Sequence, residues 1–443
     1  MPVRLGPFGN RMIRLIYNLL WPLGLVFFLP GYLIKMFRRG GYRRKFGQRL
    51  GIYGGDVQRL LAKQRSTWLH AVSVGEVGVA LKLAGELRRL QPDVHCVLTT
   101  TTTTGFSFAA NNAPDWIEVM YNPLDFWPIM RRAFSIIRPI RIVLIEAEIW
   151  PNLVAEGHAR GIPIAVANAR LSPRSGKRFR QFRALVEPTF RLLDLVCVPE
   201  REDVDRWAAL GIERERIHCT GSIKYDLSGL ENRLEIQGIG IFHPNALDPK
   251  NLVLFGGSTH PGEEEILAQV FLKLRKQIPS LSLFIAPRHV ERVREIRRQL
   301  ESLSLEVRLV SEATTHSESK PECVLLDKTG ELQSWYGVAA VVFIGKSLTA
   351  HGGQNPAEAI FAGVPVVFGP HMENFAVLAR ALVARKGAIQ VNNSDQLEQA
   401  LGHLLGDSEA RSGLIRNAEE VLAEHRGASA RTARLVVDLA SSR

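Results

Sequence analysis

Short apolar runs alternate with stretches of helical periodicity along most of this chain, and the alternation begins near residue 60. Trp68–Val72, Val94–Thr99, Ile117–Tyr121, Ile142–Ile145, Ile164–Ala167 and Leu195–Val198 read as strands. Between and after them, Gly78–Leu90, Asp125–Ile137, Asn152–Arg160, Phe179–Leu193 and Glu202–Leu210 read as helices. The tract Thr99–Thr104 reads as a strand end running into a loop closed by Gly105. The rhythm pauses between Asp226 and Lys250, then resumes with Leu252–Phe255, Leu281–Ala286, Val307–Val310, Val324–Leu326, Ala340–Ile344 and Val364–Phe368. Helices such as Glu263–Lys276 and Val290–Leu300 lie among these. Strand–helix alternation of this kind predicts parallel βαβ units. Two successive series predict an α/β chain of two Rossmann-like domains facing a cleft. The expected boundaries are 1–50 for an N-terminal anchor with a basic collar, 51–226 for the first domain, 227–250 for a linker region and 251–443 for the second domain with its C-terminal helices.

Composition changes the picture mainly at the N-terminus. With 46% hydrophobic and 23% charged residues among 443, disordered, collagen-like and polytopic membrane classes are excluded. The formal net charge is +12, and the first 50 residues hold ten Lys/Arg and no Asp/Glu. Such a localised excess argues against a nucleic-acid surface spread over the body. Leu15 to Ile34 is a run of 20 uncharged residues, interrupted by Pro22, Gly24, Pro30 and Gly31. It is long enough for a bilayer core, as a kinked span or a helix lying in one leaflet. Lys35, Arg38, Arg39, Arg43, Arg44, Lys45 and Arg49 follow it, which predicts a collar against anionic lipid with the rest of the chain on the cytoplasmic side. Cys96, Cys197, Cys219 and Cys323 form no CxxC pair and read as thiols in a reducing compartment.

In open α/β sheets ligands bind beyond the carboxyl ends of the strands, so polar residues just after strands are the candidates. No GxGxxG follows a strand, and Gly345-Lys346-Ser347 lacks the loop of a Walker A motif. Glu76 in HAVSVGE stands at a helix start after the first strand, where it reads as a catalytic base or as a simple partner of the helix N-terminus. Glu146 and Glu148 directly follow Ile142–Ile145, and Pro151 opens the next helix. Asn168-Ala-Arg170-Leu-Ser172 follows another strand, and Lys224 lies in GSIKYD at the end of the first domain. In the second domain, Gly256–His260, Pro287-Arg288-His289, Thr329-Gly330-Glu331 and the loop from Gly345 to Glu358 all follow strands. Small residues with free N–H groups there predict a phosphate cradle, and these post-strand loops together a nucleotide site. Arg170, Arg174, Lys177, Arg178, Arg180 and Arg183 form a second basic cluster, read either as a lipid or phosphate contact or as a solvated helix face.

HAVSVGE, EAEIWPN, NARLS, GSIKYD, STHPGEE, APRH, TGEL, GGQNPAEA and GPHMENF, in that order behind the N-terminal run, resemble the 3-deoxy-D-manno-octulosonic acid (Kdo) transferases of lipopolysaccharide synthesis. The resemblance covers nearly the whole chain. It departs from the usual pattern at Ala147 and at Gln354. It implies a glycosyltransferase B fold and inverting transfer of Kdo from CMP-Kdo to the 6′-hydroxyl of a tetraacylated lipid A precursor at the bacterial inner membrane, with no metal and no cofactor. By the same resemblance, Glu76 matches the general base, and Glu146 and Lys224 match positions that stabilise the transition state. Pro287, Arg288, Thr329, Gly330, Glu331, Asn355, Pro356, Ala357 and Glu358 match CMP-binding segments. The alternatives are another nucleotide-sugar transferase or epimerase of this fold, and a non-catalytic membrane-bound lipid-binding protein.

Overall fold

A computed structural model describes residues 12–21, 24, 45–171, 173–226, 252–312, 322–328 and 332–441. The linker 227–250, the collar residues Lys35 to Arg44, most of the Leu15–Ile34 run, Ser172 and the Thr329-Gly330-Glu331 segment lie outside these residues.

The chain forms two units, residues 1–228 with 425–443, and residues 229–424. In the first unit, β1 (Ser66–Ala71), β2 (Cys96–Thr100), β3 (Ile117–Tyr121), β4 (Pro139–Ile145), β5 (Ile164–Ala167), β6 (Leu195–Val198) and β7 (Ile217–Cys219) make a seven-stranded sheet ordered β3-β2-β1-β4-β5-β6-β7. In the second, β8 (Val253–Thr259), β9 (Ser282–Pro287), β10 (Val307–Leu309), β11 (Cys323–Leu325), β12 (Val341–Ile344), β13 (Val366–Phe368) and β14 (Ile389–Gln390) are ordered β10-β11-β9-β8-β12-β13-β14. Every pairing is parallel. Helices cover both faces of such sheets, so the strands read as unbroken apolar runs. Ile142, Val143, Leu144 and Ile145 are all fully buried. One face of the first sheet buries Trp68, Phe134 and Trp207, and the other buries Leu69, Leu83 and Leu87. The strand order reverses between β1 and β4 and between β8 and β12, the switch points where this architecture places ligands.

Three expectations change. The last helix, Ala428–Ser441, belongs to the first unit rather than the second, because Ala433 and Val436 complete the layer formed by Val77, Leu83 and Leu87. The Thr-rich tract is not an open loop: a helix runs over Thr103–Asn112, with the Thr102 hydroxyl accepting from Gly105 N–H at 3.0 Å. The span read as one helix from Phe179 to Leu193 is broken into Pro173–Gln181 and Arg183–Phe190.

The N-terminal run also differs from a plain apolar span where it is described. Residues 12–21 are helical, and Met12, Leu15, Ile16, Leu19 and Leu20 are exposed at the spacing of one helical stripe. The opposite face is polar and docked. Tyr17 donates to Asp125 at 3.1 Å, and Asn18 and Arg14 donate to Asn152 Oδ1 at 2.9 and 3.1 Å. Among the described residues no helix is long and apolar enough to cross a membrane. Two members of the basic collar contact the protein, one of them buried. Arg49 is buried, donates to Thr101 O at 2.7 Å and stacks over Tyr121, while Lys45 lies 3.9 Å from Glu118. Arg49 is therefore committed to the protein, while Lys45 stays exposed.

Candidate active site

Four side chains at the carboxyl ends of the first sheet form one electrostatic group. Glu76 enters through the turn after β1. Ser73 caps the helix Val74–Leu90, its hydroxyl accepting from Glu76 N–H at 3.4 Å. The Glu76 carboxylate folds back to accept from Ser73 Oγ at 2.8 Å and from Val72 N–H at 2.9 Å. This is a variant of the capping box, in which the carboxylate reaches the N–H one residue before the cap. Each carboxylate oxygen keeps a further lone pair. Burial raises the Glu76 pKa, the two hydrogen bonds pull it back, and the neighbouring Glu146 raises it again. The adjoining Gly75 is open, with no heavy atom within 4 Å of where a Cβ would stand. Of the two valines in this turn, Val77 is fully buried in the core and Val74 is 40% exposed.

Glu146 follows β4 directly, in the left-handed region at φ 61°. A non-glycine residue there costs of order 1 kcal/mol. The turn aims its carboxylate at Lys224, whose Nζ lies 2.5 Å away. Lys224 stands in a single 3₁₀ turn, Ile223–Tyr225, so it is an ion-paired lysine rather than a free surface one. Glu148, two residues past Glu146, is drawn into the group. Burial first, then the charges of Glu76 and Glu146, push its pKa up to about 7. Sequence reasoning noted Glu148 beside its strand but did not choose it as a site residue. His70, fully buried in β1 against Thr99, has its pKa pushed down to about 4 and stays neutral.

The second unit holds the nucleotide candidates, with one correction. The glycine-rich loop does not offer its N–H groups freely. Those of Lys346, Ser347 and Leu348 donate to the fully buried Glu263 carboxylate at 2.7–3.0 Å. Gly352 N–H donates to Glu373 at 2.6 Å, and Gly353 N–H to Lys346 O at 2.9 Å. Two carboxylates of the chain itself thus fill the anion positions that the loop pattern suggests. Glu373 is held far below the usual carboxylate range, at about 2, chiefly by His351. Its Oε1, His351 Nδ1 and His371 Nδ1 gather at 3.0 and 3.5 Å, a set from which two imidazoles and a carboxylate could hold a cation.

The remaining candidates are better placed for a ligand. Pro287 ends β9 opposite Thr259, and Arg288 follows it with an exposed side chain. Asn355 joins the start of the short helix Ala357–Phe361, accepting from Ala357 N–H at 3.2 Å and donating to Glu358 at 3.1 Å. Pro356 and Ala357 are buried at that start.

Two parallel α/β units with charged rims at their strand ends define a glycosyltransferase B type of enzyme fold. The UDP-GlcNAc 2-epimerase from Neisseria meningitidis shares that fold with a TM-score of 0.57 at 12% identity, over 86% of this chain and all of that one. The family model for 3-deoxy-D-manno-octulosonic-acid transferase (kdotransferase) matches residues 44–227. The 3-deoxy-D-manno-octulosonic acid transferase of Haemophilus influenzae is 33% identical over 87% of this chain and 89% of its own length. That of Bordetella pertussis is 31% identical over 89% and 92%. The chain belongs to the 3-deoxy-D-manno-octulosonic acid transferase family and is a glycosyltransferase.

Proposed function

We propose that this enzyme transfers Kdo from CMP-Kdo to the 6′-hydroxyl of the tetraacylated lipid A precursor, with inversion at the anomeric carbon. The observation that carries this reading is the Glu76–Glu146–Glu148–Lys224 group, gathered at the strand ends of the first unit in a Kdo transferase chain. Glu76 takes the acceptor hydroxyl proton as the oxygen bonds to the anomeric carbon of Kdo. The bond from that carbon to the phosphate oxygen breaks, and its electron pair leaves with CMP. Lys224, fixed by Glu146, supplies positive charge where anionic substrate must be held. The test is mass spectrometry of the lipid A precursor incubated with the purified chain and CMP-Kdo. A mass increase by one or more Kdo units is expected, and none with UDP-N-acetylglucosamine. An unchanged precursor with CMP-Kdo would overturn the reading.

The second unit is proposed to bind the cytidylate through Arg288, Asn355 and Glu358, with the segment 329–331 carried by resemblance alone. Arg288→Ala and Glu358→Ala are each expected to weaken CMP binding about tenfold, as befits a lost charge-assisted hydrogen bond. Isothermal titration with CMP checks this, and an unaltered dissociation constant for both would remove the two residues from the site.

We also propose attachment to the cytoplasmic face of the inner membrane. The helix over residues 12–21 supports it by turning its polar face to the protein and its apolar stripe outward. So do exposed Lys177, Arg178 and Arg180 beside exposed Phe182 and Leu185. The full chain is expected to float with vesicles containing phosphatidylglycerol and to be partly released by high salt. Equal recovery with purely zwitterionic vesicles would contradict the electrostatic part.

A further inference from the structure

The Lys224–Glu146 pair depends on two backbones that are far apart in sequence, and one dipeptide touches both. Ala167 ends β5, and its carbonyl accepts from Glu146 N–H at 2.9 Å. The next residue, Asn168, is fully buried and sits in the left-handed region at φ 52°, a conformation asparagine tolerates better than most side chains. Its Oδ1 accepts from Ile223 N–H at 3.0 Å and from Ser222 Oγ at 3.3 Å, immediately before Lys224. The same turn is held from the other side by the returning chain. Ser222 N–H donates to His425 Nδ1 at 3.2 Å, and the Asp226 carboxylate accepts from Gly427 and Ser429 N–H at 2.9 and 2.7 Å. Asp226 is the last described residue before the linker, and His425 is the first residue to rejoin this unit.

We propose that Asn168 and His425 are positioning residues that clamp the Ser222–Lys224 turn, so that the Lys224 ammonium meets Glu146. The proposal rests on the role given to Lys224 above. Neither residue touches substrate in this scheme; each acts by fixing where one ammonium group stands. A small displacement of a catalytic group is costly to rate.

The experiment is a double-mutant cycle on transfer kinetics. Asn168→Gly keeps the backbone conformation and removes the acceptor. It is expected to lower kcat about tenfold, the size of one lost buried hydrogen bond, with KM for CMP-Kdo changed less than about twofold. In a Lys224→Ala background the same substitution is expected to cost less than about twofold, because the group it positions is gone. His425→Ala is expected to behave likewise, while His425→Asn, whose Oδ1 stands where Nδ1 stood, restores most of the rate. Equal losses in both backgrounds, or no loss with Lys224 present, would overturn the proposal. If Asn168→Gly does not fold, the His425 pair decides by itself: equal rates for His425→Ala and His425→Asn overturn it. A Lys224→Ala enzyme with wild-type turnover would instead sink the underlying reading of the site.

Discussion

Glu76→Gln is expected to lower Kdo transfer by about 10²–10⁴-fold, the usual contribution of a positioned general base, while CMP affinity stays as in the wild type. The amide keeps the size of the side chain and one acceptor oxygen, so part of the capping box survives and the fold should persist. What it loses is the ability to accept the acceptor's proton. Retention of more than about a tenth of wild-type turnover would remove Glu76 from that role. The pH profile gives an independent check. A base must be ionised to act, so the rate falls as pH falls through the pKa of Glu76. Burial has raised that pKa, so the acid limb should lie above the range of an ordinary glutamate. Burial and the charges of Glu76 and Glu146 push the Glu148 pKa up to about 7, and the coupling of two neighbouring carboxylates is mutual. Removing the Glu148 charge relieves repulsion on Glu76, so Glu148→Gln should move the acid limb to lower pH. A limb that moved to higher pH would contradict this coupling.

How much of this was legible beforehand depends on whether the partner lies nearby in sequence. The place of Glu76 at a strand end was legible because a strand, a Ser/Gly turn and a helix start are adjacent, and topology marks that end as the one where ligands bind. The Ser73 capping box is equally local. The pair Glu146–Lys224 was visible only as two separate candidates, since 78 positions separate the partners and no periodicity reports a contact of that span. Glu148 differs from Glu146 in nothing the sequence displays. Its raised pKa comes from burial and from the charges of Glu76 and Glu146, which no local pattern displays. The glycine-rich loop misled for the same reason. Its N–H groups look unsatisfied until Glu263, more than 80 residues earlier, is found among them. The fate of the last helix was also hidden. An amphipathic pattern over Ala428–Ser441 says that a face must be covered, but not by which sheet. The two-residue strand Ile389–Gln390 is too short for any alternation to register.

Lys224→Ala is expected to lower kcat by about 10²–10³-fold, comparable to removing one preorganised donor from a site of developing charge. Two losses combine in it. The departing cytidylate and the carboxylate of Kdo are both anionic, so a site with Glu76, Glu146 and Glu148 needs a compensating cation to admit them. Without Lys224 the Glu146 carboxylate is also left without its partner at 2.5 Å, and its charge then opposes substrate binding. Glu146→Gln should therefore be milder than Lys224→Ala, because it frees an ammonium rather than exposing a carboxylate. The double variant should recover part of the Lys224→Ala loss by removing that repulsion. Lys224→Arg keeps the charge, but its planar fork needs more room beside Glu146 than a point-like ammonium does. Partial activity is expected from it. Steady-state kinetics on the four variants settle the order: Lys224→Ala lowest, the double variant above it, and Glu146→Gln and Lys224→Arg higher still. A double variant no faster than Lys224→Ala would mean that Glu146 does more than hold the lysine, and would assign it a contact with the substrate.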